Sequence, residues 1–126
     1  MRALEPLAGL RVVADPAALD AARWHGERVT VLRFAPDDAF ALGAVGVDVD
    51  DEHAIVESEV GFAGAWLPLA DVLAHIEWPL PPEHPALAQG SIAGVPAKLW
   101  LPGGRGADVL LITAAAYADE LAGRLR

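Results

Sequence analysis

The stretch that most constrains this chain runs from Ala88 to Leu125. Ala88–Ala93 and Pro96–Leu101 are β-type runs separated by Gly94, a residue suited to a tight turn. Gly103-Gly104-Arg105-Gly106 reads as a hairpin loop, because a phosphate cradle would need a helix N-terminus behind it. Asp108–Thr113 follows as a third strand, almost wholly apolar and therefore expected at the centre of a sheet. Ala114–Leu125 then reads as a terminal helix, with Tyr117, Leu121 and Leu125 on one stripe at fourfold spacing.

The preceding residues alternate strand and helix signals. Leu10–Ala14 is a short strand, and Asp15-Pro16 reads as an N-cap followed by the first helical residue. Leu19, Ala22 and Arg23 continue at helical spacing, and Gly26 ends that helix. Residues 28–35 form a strand, Pro36-Asp37-Asp38 a turn, and Phe40–Val45 the return strand of a hairpin, interrupted by Gly43 and bounded by Gly46. Ala54–Val60 is another strand, closed by a breaker at Gly61–Gly64. Between Pro68 and Ile76 the residues Leu69, Val72, Leu73 and Ile76 share one helical face. Pro79, Pro81, Pro82 and Pro85 make the next segment an extended linker. This order predicts a single α+β domain over residues 1–126, an antiparallel or mixed sheet with two to three helices on one face.

Charge narrows the function classes. The net charge is −9, and between Pro36 and Glu59 lie Asp37, Asp38, Asp48, Asp50, Asp51, Glu52, Glu57 and Glu59 without one Lys or Arg. Such a balance speaks against nucleic acid and anionic membrane surfaces, which need a basic face, and it suits a solvated loop, a basic partner or a divalent cation. No apolar run reaches the roughly 18 residues of a membrane span, and no signal-peptide core follows the N-terminus, so a cytoplasmic location is expected. There are no cysteines, which excludes disulfides and thiolate chemistry.

Within the acidic stretch Asp48, Asp50, Glu52, His53 and Glu59 are the candidate metal ligands. Acids fall at the first, third, fifth and twelfth positions of an EF-hand-like loop, but His53 occupies the sixth, where the sharp turn needs glycine. A turn between two strands is the expected structure. His53 beside Asp50, Asp51 and Glu52 could also serve acid–base chemistry. His25, His75 and His84 pair with nothing at metal-binding spacing, and neither Ser58 nor Ser91 sits in a nucleophile elbow. Phe62, Trp66, Trp78 and Trp100 are the other candidates, as the lining of an apolar pocket or as an interface.

From about Ala88 onward the chain resembles the C-terminal part of the γ subunit of heterotetrameric sarcosine oxidase, a relative of the glycine-cleavage T-protein and other aminomethyltransferase-like domains. The resemblance rests on Gly90-Ser91-Ile92-Ala93-Gly94-Val95-Pro96 leading into Leu99-Trp100-Leu101, on Val109-Leu110-Leu111-Ile112, and on Ala116-Tyr117-Ala118-Asp119-Glu120-Leu121. Arginines expected before the strand pair and before the last helix's aromatic residue are replaced by Ala88 and by Ala115 or Ala116. The resemblance implies an assembly-supporting subunit whose flavin chemistry belongs to its partners, and it assigns no catalytic residue here.

These features predict a non-catalytic accessory or interaction subunit of a cytoplasmic bacterial complex, with a protein partner or a homo-oligomeric state and no cofactor of its own. The alternatives are a small-molecule-binding domain with an aromatic-lined pocket, and a small metal-dependent enzyme using the acidic/His cluster.

Overall fold

The computed structural model describes residues 3–104 and 108–125. They form an α+β fold, a multi-stranded antiparallel sheet with three short helices, and the chain divides into two compact units: Leu7–Val60, and Met1–Pro6 with Gly61–Arg126.

The first unit contains β1 (Glu5–Val13, from Leu7), α1 (Pro16–Asp20), β2 (Arg23–Ala35), β3 (Asp38–Asp48) and the opening part of β4 (Ile55–Leu67). β3 pairs antiparallel with β2 on one side and β1 on the other. The predicted hairpin is present, closed by Pro36-Asp37 with Ala35 opposite Asp38. The predicted helix is shorter than its spacing suggested. It stops at Asp20, and Arg23-Trp24-His25 already belong to β2. Trp24 lies opposite Val47 and packs with Val31 on a core of Val12, Ala14, Leu19 and Ala39, so tertiary burial outweighs local helical spacing. Gly26 is therefore not a helix cap. It sits at an irregularity in β2, where a Cβ would stand 2.4 Å from the carbonyl oxygen of Gly43. Nor does the Asp15 side chain cap α1; its backbone carbonyl accepts from the N–H of Leu19 instead.

The second unit holds the remainder of β4, α2 (Leu69–Leu73), β5 (Ala86–Ile92), β6 (Val95–Leu101), β7 (Val109–Ala114), a 3₁₀ turn at Ala115–Tyr117, and α3 (Ala118–Arg124). Its strand order is β4-β7-β6-β5, every neighbouring pair antiparallel. The apolar β7 is central, as expected. Gly61–Gly64 does not break the preceding strand. β4 runs through it to Leu67, because β7 offers a continuous partner from Phe62↔Ala114 to Leu67↔Val109. The predicted loop residues Arg105 and Gly106 lie outside the described residues.

One face of this sheet carries the core: Ala88, Ile92, Val95, Leu99, Leu101, Val109 and Leu111, met by Val72 of α2 and by Leu121 and Leu125 from the α3 end of the chain. Both helices are shorter than predicted, and each loses one residue of its expected apolar stripe. Leu73 and Tyr117 are exposed, Tyr117 because the chain passes through a 3₁₀ turn before α3 starts. Among the described residues no helix is long and apolar enough to cross a membrane.

The β5–β6 turn consists of Ala93 and Gly94, both at positive φ (50° and 79°), the backbone that a two-residue hairpin favours. The Ala93 carbonyl accepts from Arg124 Nη1 at 2.9 Å, tying the turn to α3. Glycine suits the second position, whereas alanine at the first carries a left-handed penalty that asparagine tolerates better. Ala93→Asn is expected to stabilise the protein by about 1 kcal/mol, measured by urea unfolding; an unchanged or lower midpoint would contradict the turn assignment.

Candidate functional site

The four aromatic candidates separate onto the two faces of the second unit's sheet. Trp66 lies opposite Leu110, Leu110 opposite Trp100, and Trp100 opposite Leu87, so these four side chains form one row across β4, β7, β6 and β5. Phe62 stands on the same face, opposite Ala114. Trp78 is on the other face. Its ring covers Gly90, where a Cβ would come within 3.0 Å of the indole, and its Nε1–H donates to the Ser91 carbonyl at 2.8 Å. It packs with Ile76 and Leu80 against the helix-covered core. Trp78 thus acts as a plug for the linker, apart from the other three.

On the Phe62 face, at the Ala114 end of β7, lies a cavity of about 290 Å³. Phe62, Gln89, Lys98, Ile112, Ala114 and Tyr117 are its principal walls. Of the predicted aromatic set only Phe62 borders it. Register builds the rest: Gln89 lies opposite Lys98, and Lys98 opposite Ile112, giving a second row beside the Trp66–Leu110–Trp100 row. On β4 the matching position is Gly64. The Lys98 Nζ donates to Gln89 Oε1 at 2.9 Å. Tyr117 closes the end of the row, placed there by the 3₁₀ turn that follows β7.

Lys98, Gln89 and Tyr117 escaped the sequence reading, although a signal for two of them was present. Lys98 is the only lysine in the chain, and a two-residue turn at Ala93-Gly94 dictates Gln89 as its cross-strand neighbour. Tyr117 carried no such signal, because its expected place was on the buried helical stripe.

The acidic candidates do not converge. Residues 49–54 form the turn between β3 and β4, as expected in place of a calcium loop. Asp48 Oδ2 lies 2.9 Å from His25 Nε2 and accepts from it in the tautomer that carries the proton on that nitrogen. Glu59 pairs with Arg11 at 3.3 Å. Glu52 and His53 lie beside each other with side chains 86 and 87 % exposed, and Asp50 is exposed at the strand end. Among the described residues no group of three His, Cys, Asp or Glu side chains could hold a metal ion. Asp51, outside the candidate ligand set, organises the turn: its Oδ2 accepts from the Asp15 N–H at 2.8 Å and its Oδ1 from the His53 N–H at 2.9 Å. These two backbone donors, Asp15 first, hold its carboxyl below the ordinary aspartate range.

No protein-family model, curated protein or solved structure matches this chain, so the site is read from its own geometry.

The Asp51 turn has a pH signature. A depressed folded pKa adds stability that is present above the unfolded value of about 3.8 and is lost as pH falls through the folded value. Asp51→Asn is therefore expected to lower the melting temperature at pH 7 and to differ little from the parent near pH 2. A constant difference across that range would exclude the charged turn as the cause. At Trp78, Gly90→Ala is expected to destabilise by about 1–3 kcal/mol through overpacking and to shift tryptophan emission; a silent substitution would contradict the ring's seat on Gly90.

Proposed function

We propose that this chain is a small-molecule-binding domain and that the cavity beside Phe62 is its binding site. The observation that carries this reading is the composition of the walls. Apolar and aromatic side chains supply most of the wall, and the Lys98 ammonium and the Gln89 carboxamide meet at one side of it. Ligand sites share that pattern, an apolar enclosure with a few polar groups that fix orientation. The volume falls just below the usual range of roughly 300–1,000 Å³, which suits a monocyclic ligand.

The placement of the cavity supports the assignment. It lies on paired strands, so its walls are held by ladder hydrogen bonds and register. The scattered acidic residues offer no comparable convergence for a metal-dependent reaction.

The test is to fill the space. Ala114 is half-buried at the cavity wall, and Ala114→Phe places a ring there. Amide spectra of the parent protein titrated with phenylacetamide, a neutral aromatic probe, are expected to show saturable shifts at Ala97, Thr113 and Tyr117. Ala114→Phe should abolish them while its unfolding stays cooperative. A parent protein whose cavity residues do not respond to the probe would sink the reading.

A further inference from the structure

Resting on that reading, we propose that the ligand class is an uncharged monocyclic aromatic with one hydroxyl, its ring against Ile112, Ala114 and Pro96 and its hydroxyl at the Tyr117 end. The state of the polar wall groups decides the class. Lys98 Nζ donates to Gln89 Oε1 at 2.9 Å, and both residues have further partners. The Thr113 hydroxyl is also in use, donating to the Pro96 carbonyl at 2.9 Å. Among the described residues no buried side-chain nitrogen or oxygen lacks a hydrogen-bond partner. The interior of the site therefore makes no unmet polar demand on a ligand. A ligand polar group placed at the Lys98 side has to compete with bonds already formed.

The same walls disfavour charge of either sign. No aspartate or glutamate is among the described residues lining the cavity, so a cationic ligand meets only the like charge of Lys98. An anionic ligand meets a cation that is already engaged, and it gives up water against Ile112, Ala114 and Pro96. A neutral ring carries neither cost, and its transfer out of water is favourable. Tyr117 is the exception among the polar walls. It is the only tyrosine in the chain, it is 42 % exposed, and its hydroxyl has no hydrogen-bond partner among the described residues. That hydroxyl both donates and accepts, so it can pair with a ligand hydroxyl while the two rings meet edge to face. Its exposure also leaves the polar end of the ligand in contact with water.

The experiment titrates the full chain at pH 7 with p-cresol, toluene, phenylacetamide, phenylacetate and benzylamine, followed through the cavity amides. Phenylacetate and benzylamine are expected to bind at least about tenfold more weakly than p-cresol, because each buries a charge without a free counter-charge. Toluene should bind roughly threefold to tenfold more weakly than p-cresol, the size of one net hydrogen bond. In Tyr117→Phe that gap should close while toluene binding is kept, and retained toluene binding certifies that the variant is folded. A charged probe that binds as tightly as p-cresol, or a cresol preference that survives in Tyr117→Phe, would overturn the neutral hydroxyl-aromatic assignment and leave the cavity reading standing. Failure of every probe, phenylacetamide included, to perturb the cavity would overturn both.

Discussion

A strand with no polar face has to be covered on both faces, and the second unit is built around that requirement. Val109, Leu110, Leu111 and Ile112 are each at most 3 % exposed, and burying such a side chain contributes roughly 1.5–3 kcal/mol. Val109 and Leu111 join the core with residues of α2 and α3. Leu110 and Ile112 point the other way, into rows with Trp66, Trp100, Lys98 and Gln89. Thr113 is the one polar residue in the buried run, and its hydroxyl donates to the Pro96 carbonyl at 2.9 Å. The β7 strand thus sorts the unit into a helix-packed face and an aromatic face, and it gives the cavity an apolar floor before any ligand chemistry is considered.

The first unit solves a different problem, the placement of a dense run of carboxylates. Arg11 of β1 meets Asp38 through two nitrogens, at 2.5 and 2.7 Å, and reaches Glu59 at 3.3 Å. Its guanidinium also lies 4.9 Å from the centre of the Phe34 ring, which stacks on Phe40. The hydrogen bond with Asp38 is the main reason that the Arg11 pKa is raised, so one cation serves three strands at once. His25 takes Asp48, and backbone N–H groups take Asp51. Carboxylates committed one by one to arginine, histidine and backbone partners hold turns and strands. That commitment explains why a sequence cluster suggestive of a metal site does not become one in space.

Strand identity was legible wherever apolar and β-branched residues were concentrated, and the turns at Pro36-Asp37 and Gly94 were legible from their residue types, although Ala93, expected to end the strand, is part of the second turn. What failed were judgements that depended on distant partners. Gly61 and Gly64 looked like a breaker because their weakness as strand residues is local, whereas the pairing with β7 that overrides it is fifty residues away. Accepting that breaker hid the fact that Phe62 and Trp66, four apart on one strand, share a face. Trp24 looked helical for the same reason, since its place opposite Val47 depends on β3. Trp78 could not be assigned to a face at all, because it sits in a proline-rich linker whose path is set by where Gly90 leaves room for the ring. The resemblance of the tail to the γ subunit rested partly on Gly90 and Gly94. The structure supplies a physical reason for each: one admits an indole and the other adopts positive φ at a turn.

Lys98 is not the residue that packing alone would select. A lysine beside Ile112 on a sheet face with an apolar cavity gains less from burial than a methionine or leucine of similar reach would, because its ammonium must keep polar company. Gln89 provides part of that company as a neutral acceptor. The same register that makes the hairpin stable is what brings the two polar groups to one side of the cavity.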